Sequence, residues 1–275
     1  MTESSRPILL RICYRGHGYH GFQVQEGMHT IAGVLEDALA KVLTHRVTVR
    51  TSSRTDAGVH ALDLPVYLET PRDIDLRGLV LGTNTHLPSD IRVLSACELA
   101  EPMEPRRQSR GKIYRYLVWN HALSNPMLVN GCWQVRGSLD LPALQPALTA
   151  LIGEHDFSAF RAQGCQAKSP VRRITMAKAS RHEHSSELVC FEFAGDAFVR
   201  YQVRIMVGTL VGMANGQLDP ASMPALLAPG RRADAGQTAP PDGLYLVRAR
   251  MALPNPVDRW PETRENPARL FPLVL

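Results

Sequence analysis

Apolar and polar positions alternate with a period of two in "ILLRICY" (residues 8–14), placing Ile8, Leu10, Ile12 and Tyr14 on one face of a predicted strand. The period then changes. In "TIAGVLEDALAKVL" (30–43), Ile31, Val34, Leu35, Ala38, Leu39 and Val42 recur at helical spacing, and Thr30 is placed to cap the N-terminus. Alternation returns in "RVTVRT" (46–51), "LPVYLET" (64–70) and "IRVLSACEL" (91–99). Between the last two lies a weaker helix from Asp75, with Leu76, Leu79 and Val80 on one side. The order is βαββαβ, the ferredoxin-like pattern.

The second half repeats the pattern without repeating the letters. Strands are predicted at 112–119, 173–180, 187–195 and 243–250. A helix is predicted over 141–153, a long one over 197–216 with Asp196 as its cap, and a short one near "SMPALLA". The expected fold class is α+β: two ferredoxin-like halves, 1–105 and 106–275, joined through one extended antiparallel sheet with a central cleft. The boundary falls in "AEPMEPRRQSRG" (100–111), and the tail after Pro254 reads as loop or short helix.

Composition narrows the class. The chain has 275 residues, 44% apolar and 21% charged, which excludes disorder and a coiled coil. A net charge of +5 admits a polyanionic partner such as nucleic acid. Five scattered cysteines (Cys13, Cys97, Cys132, Cys165, Cys190) form no CxxC pair and fit reduced thiols in the cytosol. No secretory signal opens the sequence, and the longest apolar run (206–214) is too short to cross a bilayer. The expectation is a soluble, cytoplasmic protein.

Several stretches are candidates for chemistry. "GHGYHG" (16–21) matches G-x-G-x-x-G, but the helix begins about ten residues too late for a dinucleotide site. It reads as a Gly-rich turn. "HEH" (182–184) lacks a third metal ligand nearby and reads as a loop. "EPRRQSRGKIYRY" gathers Arg106, Arg107, Arg110, Lys112 and Arg115 beside Tyr114 and Tyr116, which suits phosphates and an unstacked base in RNA but equally a solvated face. The long helix is apolar nearly all round yet carries Arg200 and Arg204, four apart. A buried guanidinium demands an anion. The loop "SSRTDAGVHA" (52–61) offers Asp56, which an adjacent Arg would keep ionised, as a nucleophile or electrostatic stabiliser. On the loop's residues alone, a plain turn shaped by Asp56 and Gly58 is the simpler reading.

Taken in order, "YRGHGYHGFQVQ", "SRTDAGVHA", "KIYRY", "GEHDFSAF", "FVRYQVRIMVG" and "GLYL" resemble the motifs of the TruA family of tRNA pseudouridine synthases. The resemblance spans most of the chain. It implies that Asp56 is the nucleophile, Arg204 its partner, Tyr114 the ring stacked on the target base and Arg54 the residue that holds the nucleotide flipped out. Leu244 would line the apolar side of the pocket. It further implies a homodimer that needs no cofactor or metal and modifies uridines 38 to 40 in the anticodon stem-loop of tRNA. A catalytically silent tRNA-binding protein is the alternative. The sequence departs from the family pattern at Phe22 and Val24, at Ser53, and over residues 103–106. These departures leave Asp56, Tyr114 and Arg204 in place and fall on the surface expected to meet RNA.

Overall fold

β1 (Arg6–Tyr14) is flanked on both edges by antiparallel neighbours, β2 (His60–Thr70) and β3 (Ile91–Leu99). Both faces of β1 are covered as well: Ile8, Leu10 and Ile12 are fully buried, and so nearly is Leu9 on the opposite face. The computed structural model describes residues 5–253 and 256–260. Among them are ten strands and five α-helices, with mostly antiparallel pairing, an α+β protein. They divide into two compact units, one within Met1–Arg110 and Leu246–Leu275, the other Gly111–Tyr245.

In the first unit, α1 (Ile31–Leu43) and α2 (Leu76–His86) begin where capping residues allow. Thr30 Oγ1 accepts from Gly33 N at 3.3 Å, and Asp75 Oδ1 accepts from Gly78 N at 2.8 Å. α1 buries Ile31, Leu35, Ala38 and Leu39 of the stripe that the helical period marks, whereas Val34 and Val42 are half-buried and Leu43, outside that stripe, is buried. A hydrophobic cluster forms around Leu9, Tyr67, Leu99 and Met103. Asp63, 1% exposed, is held by Arg11 and by Arg248 Nε at 3.3 Å. A buried carboxylate is tolerated only with such partners, and removing one side of a buried pair costs about 3–5 kcal/mol.

In the second unit, β4 (Ser109–Asn120) pairs with β8 (Ser185–Gly195), β8 with β7 (Val171–His182), and β7 with β6 (Gly153–Asp156), all antiparallel. β5 (Trp133–Val135) runs parallel to β4. The helices are α3 (Gln145–Leu151), α4 (Gln202–Ala214) and α5 (Met223–Leu227). β9 (Leu244–Met251) then carries the chain back into the first unit, where β10 (Pro256–Trp260) pairs with β3.

Three local expectations change. Residues 46–51 form no strand beyond an isolated bridge in which Arg50 and Tyr67 exchange two backbone bonds; the neighbouring Val49 N donates to Glu36 Oε1 of α1 at 2.9 Å. The long helix starts at Gln202 rather than 197, so Asp196 is not its cap and Arg200 precedes it. The tail after Pro254 contains β10; its residues beyond 260 lie outside the described residues.

Candidate active site

The loop before β2 is held by the Gly-rich turn that follows β1. Phe22 N donates to Thr55 O (3.2 Å), Gly58 N to Tyr19 O (3.2 Å), and Gly16 N to His60 Nδ1 (3.0 Å). Tyr14 Oη and Thr55 Oγ1 lie 2.7 Å apart. The fit is close enough that a Cβ on Gly16 would stand 2.0 Å from Val59 O. This is the use of "GHGYHG": its glycines let one backbone lie against another, not against a pyrophosphate. Tyr19 is fixed in turn, stacked on His29 at 4.7 Å and donating to Asp90 Oδ1 at 2.9 Å. Burial and that bond push its phenol well above the ordinary tyrosine range.

Within this cradle, Val59 N donates to Asp56 O at 3.2 Å, with Gly58 at φ +79° completing the turn. The Asp56 side chain is half-buried, and Arg54, two residues earlier, is exposed. Neighbouring protein atoms and the like charge of Arg106 together lower the Arg54 pKa. Two guanidinium groups that feel each other's field suit an anion such as a backbone phosphate. Arg106 belongs to the basic run, but sequence alone gave no sign that its charge acts on Arg54. Immediately before Arg54, Ser53 is fully buried; its N–H reaches Thr51 Oγ1 at 3.3 Å, while its hydroxyl has no partner among the described residues.

The other sequence-marked residues belong to the second unit. Tyr114 lies on β4, largely buried, edge-on to Phe198 with ring centroids 5.0 Å apart. Tyr116, on the same strand face, is fully buried and donates to Pro240 O at 2.7 Å. It belongs to the core and is not available to RNA. Gly243 lies against its ring, where a Cβ would stand 2.6 Å away, and this places buried Leu244 at the start of β9. Arg115 is also committed, its Nη2 donating to Glu192 Oε1 at 2.7 Å.

Arg204 sits in the first turn of α4, half-buried. Its Nε donates to Ala239 O at 2.8 Å, and its Cζ lies 4.6 Å from the centroid of the Tyr201 ring. The helix begins sharply because Gln202 Oε1 accepts from Val199 N at 2.8 Å while Tyr201 takes a left-handed φ of +65°. The loop after residue 235 is drawn onto α4: Gly236 N donates to Thr209 Oγ1 at 2.9 Å, and Ala239 N to Arg204 O at 3.1 Å. Ala239 carries no signal in sequence, since it holds Arg204 through its backbone alone. Asp56 and Arg54 thus stand on one unit, and Tyr114, Arg204 and Leu244 on the other.

Among the described residues no group of three or more His, Cys, Asp or Glu side chains is placed to hold a metal ion, and no helix is long and apolar enough to cross a membrane. Comparison with known proteins gives a consistent result. The sequence model of a family described as tRNA pseudouridine synthase matches residues 147–251. The chain is 42% identical over 239 residues to a protein of Myxococcus xanthus named tRNA pseudouridine synthase A, covering 87% of this chain and 89% of that one. It is 40% identical to proteins of the same name from Geotalea uraniireducens, over 88% of this chain and 98% of that one, and from Geobacter sulfurreducens, over 89% and 99%.

Proposed function

The chain belongs to the tRNA pseudouridine synthase family, and from that premise we propose that it isomerises uridine to pseudouridine in the anticodon stem-loop of tRNA, at positions 38 to 40. The observation that carries this reading is the Asp56 loop, a half-buried carboxylate on a turn that four contacts from a Gly-rich cradle hold in place. A plain surface turn needs no such support.

The reaction breaks the bond from N1 of the base to the ribose and forms one from C5 to the same carbon. C5 gives up its proton and N1 gains one, so nothing is consumed and the RNA chain stays uncut. A uridine in a stem must first leave the stack, at a cost of a few kcal/mol, roughly, that phosphate contacts repay. In our reading Arg54 holds the vacated position and Tyr114 stacks on the flipped base. Leu244 closes the apolar side, and Asp56 reacts while paired with Arg204. Support comes from the second unit, which fixes Arg204 on two sides and sets Tyr114 edge-on to Phe198. We take the working species to be a cytoplasmic homodimer, as the resemblance implies.

The test is direct. Unmodified tRNA incubated with the protein is mapped chemically for pseudouridine. Product at 38 to 40 with wild type, and none with Asp56→Ala despite retained tRNA binding, is the expected result. Wild type that binds tRNA without forming product would overturn the assignment in favour of a silent binding protein.

A further inference from the structure

Tyr201 adopts φ +65°, one of three non-glycine residues in the described chain to enter the left-handed region. The other two have ordinary reasons. Thr44 is the C-cap of α1, and Asn130 is a residue type that tolerates the conformation. A tyrosine at a helix N-terminus gains nothing locally from it, for it makes no side-chain capping bond. Backbone strain of this kind persists where the surroundings hold it for a purpose.

The conformation places the Tyr201 ring beside two cations. Arg204 Cζ lies 4.6 Å from the ring centroid and Arg200 Cζ 4.9 Å. Arg200 also donates from Nη2 to Tyr201 Oη at 3.3 Å. Two guanidinium groups gathered in one place repel each other, and the negative π-face of a ring offsets that repulsion. A ring in contact with the planar guanidinium restricts its tilt, while the bond from Nε to Ala239 O restricts its direction.

We propose that Tyr201 is a positioning residue, an aromatic support that orients the Arg204 guanidinium for its partner. The proposal rests on the reading above that Arg204 serves Asp56 in uridine isomerisation. It adds a residue that touches neither base nor sugar and acts only through the guanidinium it bears.

Three variants separate this from a structural role. Tyr201→Phe keeps the ring. Tyr201→Leu removes it, and Tyr201→Gly removes it while fitting the backbone conformation. Tyr201→Phe is expected to match wild type. The Leu and Gly variants are expected to lose about tenfold in kcat, equivalent to about 1.4 kcal/mol, with KM for tRNA within about twofold. A Gly variant as active as wild type overturns the proposal. So does a Phe variant as impaired as Gly, or a loss confined to KM.

A second measurement does not depend on activity. The Arg204 Nε–H resonance, assigned by its absence in Arg204→Lys, is expected to carry a ring-current shift in wild type and Tyr201→Phe that disappears in Tyr201→Gly. A resonance unmoved by Tyr201→Gly overturns the proposal. A wild type that shows the shift but forms no pseudouridine instead counts against the proposed function alone.

Discussion

Arg204 and Ala239 exchange two hydrogen bonds, Nε of the arginine to the alanine carbonyl at 2.8 Å and the alanine N–H to the arginine carbonyl at 3.1 Å. The alanine contributes only backbone, so it cannot be read as a functional residue from its side chain. It turns a long, flexible side chain into a fixed one and leaves the end of the guanidinium to its other duties.

Arg204→Lys therefore keeps the charge but loses both the Nε donor and the planar fork. Single-turnover assays on tRNA are expected to show a fall in rate on the order of a hundredfold, the size typical of losing one aimed donor. The thermal midpoint should change little, since the main-chain bond from Ala239 N survives.

Gly16→Ala tests the cradle. The new Cβ would stand 2.0 Å from Val59 O, so the Asp56 loop must shift to admit it. A displacement near 1 Å in a reacting group costs about a hundredfold. The expected outcome is a loss of that order in kcat with circular dichroism unchanged, because Gly16 lies outside the strands themselves.

Ser53→Ala should stabilise. The Ser53 side chain is fully buried and its hydroxyl finds no protein partner among the described residues. Removing an unsatisfied buried polar group is expected to recover about 1 kcal/mol in urea unfolding, with pseudouridine formation retained.

Acid stability should depend on Glu98. Arg6 donates to it from Nε at 3.0 Å and from Nη2 at 2.6 Å, and these bonds hold the carboxyl below its ordinary pKa. A depressed folded-state pKa contributes stability that is present above the unfolded value, about 4.3, and is lost as pH falls through the folded value. Unfolding midpoints of wild type should therefore drop over that acid window. Glu98→Gln should flatten the drop and be less stable than wild type at pH 7.

The elements with a clean period were legible in the sequence. β1, α1, β3, β7, β8 and β9 lie where alternation or the helical stripe placed them, and Thr30 and Asp75 cap the helices they precede. What the period could not carry was competition from elsewhere in the chain. Val47 and Val49 alternate correctly, yet the segment pairs with β2 only at the Arg50–Tyr67 bridge, and Val49 N is bound to Glu36 of α1. Phe198 and Val199 extend the apolar pattern of α4 past a break that only Tyr201's backbone reveals.

The same holds for the site. "SSRTDAGVHA" could be marked from its residues and from the family pattern. That "GHGYHG" exists to support it could not, because contact between two backbones leaves no trace in spacing. Tyr116 shows the opposite error: it shares a strand face with Tyr114, yet a bond to Pro240 O fixes it in the core.

The return of β9 bears on how the molecule is made. The second unit, Gly111–Tyr245, is continuous in sequence, whereas the first needs residues from both sides of it. On a ribosome, where domains fold as their residues emerge, the later unit has all its residues before the earlier one does. Until Arg248 is synthesised, buried Asp63 has Arg11 as the only one of its two arginine partners among the described residues. The N-terminal unit, first to be translated, is thus the last to be completed.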